Sequence, residues 1–112
     1  MIKIKENYPA FKIPFAFKNA DAYTIGRTIY FKKKRTDYKP FLFWHEMCHV
    51  CQYEKYGKAK FFYTYFIKEF FRSYRKKSFE KEAYTVQTKQ DLLKLYPQYS
   101  RLISSAEQKI KE

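Results

Sequence analysis

A run of apolar residues contains the motif His-Glu-x-x-His, and this run constrains the fold more than any other feature. His45 and His49 stand four residues apart, with Glu46 beside the first, inside the apolar segment 41–50. They are the only 2 histidines among 112 residues. On an α-helix, positions i and i+4 lie on one face, so both imidazoles can approach a single ion. The motif therefore predicts a central helix that carries two ligands of a metal site.

The residue types in this motif predict metal-dependent hydrolysis. Two imidazole nitrogens can bind one zinc ion at about 2.0–2.1 Å. A bound zinc lowers the pKa of its water to about 7 and polarises a carbonyl group. Glu46 lies about 100° around the helix from His45, where its carboxylate can reach that water without taking a ligand position. We therefore expect Glu46 to act as general base in the hydrolysis of a peptide or protein substrate.

A catalytic zinc usually takes three protein ligands, and the chain has no third histidine. The third ligand must then be a carboxylate or a thiolate. Glu80 and Glu82 are the downstream candidates, and they point about 200° apart on a helix, so only one of them can face the metal. We expect the other to be solvated or to accept hydrogen bonds outside the ligand group.

Cys48 and Cys51 form Cys-x-x-Cys within the same predicted helix. A redox dithiol normally has its first cysteine at a helix N-terminus, where the pKa of the thiol falls, and both of these lie in the middle. A c-type haem site needs histidine after the second cysteine, where Gln52 stands. We expect two reduced, packed thiols, with Cys48 as a zinc ligand the alternative.

The N-terminal part of the chain has the alternating pattern of β-strands. Alternation predicts a short strand over residues 2–5 and an extended segment over residues 11–17. The segment from Tyr23 to Phe31 is rich in β-formers on both faces and is predicted to form one strand. Within it, Gly26 indicates a bulge or the close approach of another backbone.

Four helices are predicted after the strands. Pro40 suits the first position of the motif helix, and Gly57 suits its C-terminal cap. Ser78 suits the cap of the third helix, and Pro97 ends it. The predicted helices span residues 40–56, 58–76, 79–96 and 98–111.

The amino-acid composition indicates which kinds of partner the protein could have. The net charge of +13, from 24 Lys+Arg against 11 Asp+Glu, suits an anionic partner such as nucleic acid. The basic residues are spread along the chain, so we expect at most weak nucleic-acid binding through the basic surface. No run of 18 apolar residues and no signal peptide are present, which predicts one cytoplasmic domain over residues 1–112 that does not contact a membrane. The oligomeric state is unknown from the sequence.

Two motifs together resemble the zincin metallopeptidases whose third ligand is a glutamate, the gluzincins. The resemblance rests on the His-Glu-Met-Cys-His of residues 45–49 and on the Glu-Lys-Glu-Ala-Tyr of residues 80–84. In that group the second motif is Glu-x-x-x-Asp, often with Ala before the Asp. Alignment at Ala83 implies Glu80 as the zinc ligand, with Glu82 as the alternative. Tyr84 replaces the family Asp, which usually orients a ligand histidine, and its hydroxyl is the candidate substitute.

The wider pattern over residues 23–87 is similar to small peptidase-like domains encoded by bacteria and their phages. The resemblance implies a minimal zincin-like α+β fold, in which a small N-terminal antiparallel sheet precedes three to four helices. It implies a zinc metallopeptidase. The alternatives are a zinc-stabilised basic module that binds nucleic acid, or an inactive peptidase-like protein that acts through contacts with another protein. The candidates for stabilising an oxyanion are Tyr53, Tyr56, Tyr63 and Tyr84.

Overall fold

The computed structural model describes residues 2–8, 21–57 and 80–111, and their arrangement confirms the α+β class. The regular elements are β1 (Lys3–Lys5), β2 (Ala22–Ile25), β3 (Thr28–Phe31), α1 (Pro40–Tyr56), α2 (Lys89–Leu95) and α3 (Ser100–Lys111). Residues 80–84 form a further helical segment ahead of α2. Short 3-10 helices cover Arg35–Asp37 and Pro97–Tyr99. The predicted extended segment 11–17 and the predicted helix 58–76 lie outside the described residues.

The segment predicted as one long strand, residues 23–31, is a β-hairpin. A two-residue turn of Gly26 and Arg27 joins β2 to β3, and Gly26 has a φ of 62°. A positive φ at only the first turn position is the pattern of a type II′ turn, in which glycine is favoured. The prediction of a bulge at Gly26 was therefore wrong, because this glycine reverses the chain.

The hairpin also changes which side chains share a face. Tyr23 lies opposite Tyr30, and Thr24 lies opposite Ile29. Directly opposed residues of an antiparallel pair share a face, so Thr24 lies on the side of the fully buried Ile29. A continuous strand would have placed Tyr23 there instead. As a result, a hydroxyl rather than an aromatic ring points from β2 towards α1.

The sheet is mixed, whereas the resemblance implied an antiparallel one. Its strand order is β1-β3-β2, with β2 antiparallel to β3 and β1 parallel to it. Ile4 of β1 lies beside Ile29 of β3. A parallel pair needs a long connection, and the segment between β1 and the hairpin supplies it.

Helix α1 is the central element, as its apolar circumference predicted. It begins at Pro40 and ends at Tyr56, which confirms the predicted bounds. Every residue in the range 43–53 is buried. Gly57 ends the helix with a φ of 87°, and its N–H donates to the carbonyl of Tyr53 at 2.9 Å. Because so little of α1 is exposed, its polar side chains must find partners inside the protein.

The third predicted helix, residues 79–96, is interrupted. Residues 80–84 are helical, and α2 begins only at Lys89. Thr88 starts α2 with a capping box, in which its hydroxyl accepts from the Asp91 N–H and the Asp91 carboxylate accepts from the Thr88 N–H. In an unbroken helix Tyr96 would lie about 20 Å along the axis from Glu82. The break lets their side chains form a hydrogen bond.

The last helix, α3, closes the core on the side of α2. The prediction placed it over residues 98–111, and it spans Ser100–Lys111 after a short 3-10 turn. Ile103 and Ala106 of α3 are fully buried with Leu92 of α2 and Met47 of α1. Within residues 2–8, 21–57 and 80–111, no helix has the length and apolar character needed to cross a bilayer.

Candidate metal centre

Side chains from two distant parts of the chain converge beside α1. His49 Nε2 lies 3.0 Å from Glu80 Oε1, and His45 Nε2 lies 3.4 Å from Glu80 Oε2. One ligand atom from each of the three residues lies within 4.8 Å of the others. These three residues, called the triad below, could hold a metal ion.

The spacing within the triad suits a tetrahedral ion. Ligand atoms held at about 2.0–2.1 Å from a tetrahedral zinc are about 3.3 Å from one another. The two nitrogen–oxygen distances in the triad, 3.0 and 3.4 Å, are close to that value and run to the two different oxygens of Glu80. Both imidazoles are buried, whereas the Glu80 side chain keeps 24% of its surface exposed. The donor set could therefore hold a metal ion, and the Glu80 side is the one that solvent reaches.

His49 has a carboxylate on one side of its ring and an amide on the other. Its Nδ1 lies 2.8 Å from Gln52 Oε1. Burial lowers the pKa of His49, but the hydrogen bond to Glu80 and the charges of Glu46 and Glu80 outweigh this effect and raise the pKa above its ordinary value. A lone pair at Nε2 facing the Glu80 oxygen would be repulsive. The pair therefore needs a proton or another cation between its two atoms.

Glu46 lies beside the triad without belonging to it. It is 5% exposed, and Thr24 Oγ1 donates to its Oε1 at 2.8 Å. Thr24 is itself held to α1, because its carbonyl accepts from the Tyr53 hydroxyl at 3.2 Å. The negative charge of Glu46 acts on His49, yet its oxygens are not in the ligand group. The role of Glu46 as general base stays a prediction.

Glu82, the alternative third ligand, also lies outside the ligand group. Its Oε1 accepts from Gln52 Nε2 at 3.2 Å and from the hydroxyl of Tyr96. Cys48 Sγ lies 3.8 Å from the same oxygen. Glu80 therefore lies against the two histidines. Glu82 accepts hydrogen bonds outside the ligand group, which is one of the two positions predicted for the glutamate that does not face the metal.

The two cysteines are free and buried, as predicted. Burial raises the pKa of Cys51 to about 12, and burial together with the nearby Glu82 also raises the pKa of Cys48. Thiols with such raised pKa values stay protonated near neutral pH. Neither sulfur belongs to the ligand group, so the structure does not place Cys48 as a zinc ligand.

The tyrosines considered for oxyanion stabilisation differ in their positions. The ring centroid of Tyr84 lies 4.7 Å from that of His45, and Tyr84 is 70% exposed. Tyr53 is buried and bonded to β2, and Tyr56 is half-exposed at the end of α1. Tyr63 lies outside the described residues. Among the tyrosines that the structure describes, Tyr84 is thus the candidate that packs on a triad residue.

Three residues of this region were not predicted. Gln52 follows His49 by three positions on α1, a spacing at which helical side chains meet, so this partner was accessible from the sequence. Thr24 was hidden because a single strand was predicted where the chain forms a hairpin. Tyr96 was hidden because an unbroken helix was predicted between it and Glu82.

Comparison with protein families finds a match to part of the chain. The family model of the eCIS core domain matches residues 15–57, which include the hairpin and all of α1. This family is associated with phage-like contractile injection systems. The match covers less than half of the chain and ends before Glu80. No curated protein and no solved structure matches the chain. These comparisons give no evidence for the zincin peptidases, so that resemblance stays a prediction.

Proposed function

We propose that the chain is a zinc-dependent metallopeptidase domain that hydrolyses peptide bonds. His45, His49 and Glu80 would hold the ion, and Glu46 would serve as general base. The observation that supports this most is the convergence of three zinc-compatible donors with a second carboxylate, that of Glu46, beside them. Three protein ligands leave one position of a tetrahedral zinc for water or substrate, which is the pattern of catalytic rather than structural sites.

Each residue around the site has a distinct part in this proposal. Zinc, when bound, polarises the substrate carbonyl and lowers the pKa of a water molecule. Glu46 takes a proton from that water at a carboxylate oxygen and passes it to the leaving amine. Thr24 orients the Glu46 carboxylate through its 2.8 Å hydrogen bond. Tyr84, whose ring packs against that of His45, would donate its hydroxyl to a developing oxyanion.

The setting of this activity is also a proposal. The eCIS core domain match favours a bacterial or phage context. We propose that the substrate in this context is a peptide or protein. Weak nucleic-acid binding and a cytoplasmic location stay predictions. No observation on the described residues favours nucleic-acid binding as the main function.

The decisive test separates metal binding from turnover. The parent protein and Glu46→Gln are compared for zinc content and for cleavage of a library of unstructured peptides, with and without a chelator. We expect one zinc per chain in both proteins. Cleavage by the parent should stop with chelator, and Glu46→Gln should be about 10²–10⁴-fold slower because it lacks the base.

The matched control is Glu54→Gln, which removes a carboxylate from the same helix at a site paired with Arg27. It should keep both zinc and activity. Cleavage by Glu46→Gln at the parent rate would exclude Glu46 as the base. Zinc uptake without any cleavage by the parent would favour the inactive, peptidase-like alternative.

A further inference from the structure

A chain of hydrogen bonds leads from the triad into the core on the side away from Glu80. His49 Nδ1 lies 2.8 Å from Gln52 Oε1, and Gln52 Nε2 donates to Glu82 Oε1 at 3.2 Å. Tyr96 donates its hydroxyl to the same Glu82 oxygen. Gln52 is fully buried and Tyr96 is 3% exposed. The connected residues, Tyr96–Glu82–Gln52–His49, are called the relay below.

The charge of Glu82 determines which way the Gln52 amide faces. An ionised carboxylate only accepts hydrogen bonds, and this one has donors around a single oxygen from Gln52, Tyr96 and the thiol of Cys48. If the amide were rotated by 180°, the Gln52 oxygen would face a carboxylate oxygen, and its NH₂ group would face the histidine. Glu82 therefore holds the NH₂ group towards itself and the carbonyl oxygen towards His49.

The orientation of this amide in turn determines the tautomer of His49. An amide oxygen can only accept, so Nδ1 must carry the hydrogen of a 2.8 Å hydrogen bond. Neutral imidazole has one N–H, which leaves Nε2 with its lone pair directed at the Glu80 side. Nε2 is also the atom that lies 3.0 Å from Glu80. A metal ligand needs a lone pair at that atom.

We propose that Glu82 is a positioning residue, which acts through Gln52 to hold His49 in the tautomer that can bind a metal at Nε2. This inference rests on the proposed function, because it assigns the relay to the same metal site. It goes beyond that proposal by giving a role to Glu82, Gln52 and Tyr96.

A merely structural relay would have different consequences. Glu82 also connects the helical segment 80–84 to α1 and to the end of α2, so its removal could loosen the fold without altering any tautomer. If Glu82 acts through Gln52, removing either side chain should weaken metal binding in the same way, and removing both should cause no further loss. A double-mutant cycle separates these cases, because independent effects add and coupled effects do not.

Zinc affinity is measured by competition with a chromophoric chelator for the parent, Gln52→Leu, Glu82→Leu and the double variant. We expect each single substitution to weaken binding about 10–100-fold, the usual loss for a partner of a ligand histidine. The double variant should be no weaker than Gln52→Leu. The control Glu54→Leu removes a carboxylate from α1 outside the relay and should bind like the parent. Parent-like affinity in Glu82→Leu, or additive losses, would overturn the proposal.

The second readout is the ¹⁵N spectrum of the imidazoles in metal-free Glu80→Ala, at a pH where His49 is neutral, because this variant removes the carboxylate that would itself attract a proton to Nε2. Glu80→Ala should show His49 with its hydrogen on Nδ1, and Glu80→Ala combined with Glu82→Leu should show a mixture of tautomers. An unchanged, single-tautomer spectrum after Glu82→Leu is added to Glu80→Ala would contradict the inference. Should Gln52→Leu fail to fold, this measurement, which does not use Gln52→Leu, still decides.

The two proposals can fail separately. If the folded parent takes up no zinc, the proposed function fails, while the tautomer measurement still tests the effect of Glu82 on His49. If the parent binds zinc and the relay variants bind equally well, the relay inference fails and the metal site remains.

Discussion

At the scale of single residues, His49 links metal binding to pH. Its pKa is raised in the metal-free protein, despite burial, by Glu80 and by the charge of Glu46. A protonated His49 therefore stabilises the metal-free fold. This stabilisation is fully present below about pH 6.5, the pKa of histidine in the unfolded chain, and is lost as the pH rises through the higher pKa of His49 in the folded protein. Zinc needs the neutral ring, so protons and zinc compete. We predict that, on acidification, zinc affinity begins to fall while the pH is still above about 6.5. Below the folded pKa of His49, the affinity should fall by about tenfold per pH unit.

The same titration can be checked through Glu46. Glu46→Gln removes one of the charges that raise the pKa of His49, so the onset of zinc loss should move to lower pH. Glu54→Gln should leave the onset unchanged, since Glu54 does not contribute to the pKa of His49. Zinc titrations between about pH 5 and pH 8 measure the onset in each protein. An identical onset in parent and Glu46→Gln would show that the charge of Glu46 does not reach His49.

The residues of the triad could be predicted because their geometry is local or carried by a motif. The spacing of His45 and His49 puts both on one helical face whatever the rest of the fold does. The choice of Glu80 over Glu82 needed the family resemblance, since spacing alone allowed either. Thr24 could not be predicted, because its face depends on how β2 pairs with β3. A one-residue change in strand register exchanges the two faces of a strand, so such partners are the least predictable.

At the scale of elements, the capping box of α2 places a residue of the relay. Thr88 and Asp91 start α2 after the break, and α2 ends beside Tyr96. We predict that Thr88→Ala lowers the free energy of unfolding by about 0.5–2 kcal/mol, the usual cost of losing such a cap. Thr88→Ser keeps the hydroxyl and should stay within a few tenths of a kcal/mol of the parent. Urea unfolding of both variants measures this, and equal losses in both would show that the hydroxyl does not cap α2.

The break before α2 and the hairpin turn were both missed in the prediction from sequence, and for the same reason. Each depends on a small polar or flexible residue inside a segment whose overall pattern favours a regular element. Gly26 was assigned to a bulge because a glycine within β-formers is compatible with either a bulge or a turn. Thr88 was passed over because the flanking pattern continues as a helix on both sides. By contrast, α1 was predicted to the residue, since Pro40 and Gly57 are both strong boundary signals.

At the scale of the whole molecule, the triad joins α1 to a segment far along the chain. His45 and His49 lie on α1, and Glu80 lies in the helical segment that leads to α2. The unfolded chain does not hold these groups together, so a bound ion stabilises only the folded state. At a free zinc concentration 100 times the dissociation constant, the gain is about 2.7 kcal/mol. For a domain of this size, that corresponds to a rise in Tm of about 10 °C.

This rise distinguishes a native site from an accidental cluster of polar groups. Thermal unfolding of the parent should shift upward with zinc and return to its metal-free midpoint when chelator is added. Glu80→Gln keeps the size of the side chain but removes its charge, so it should lose most of the zinc-dependent rise. Glu54→Gln changes the same kind of side chain on α1, at a residue paired with Arg27, and should show the full rise. A folded parent whose midpoint ignores zinc would mean that the triad is held together by a proton between His49 and Glu80, because the raised pKa of His49 allows that state without any metal.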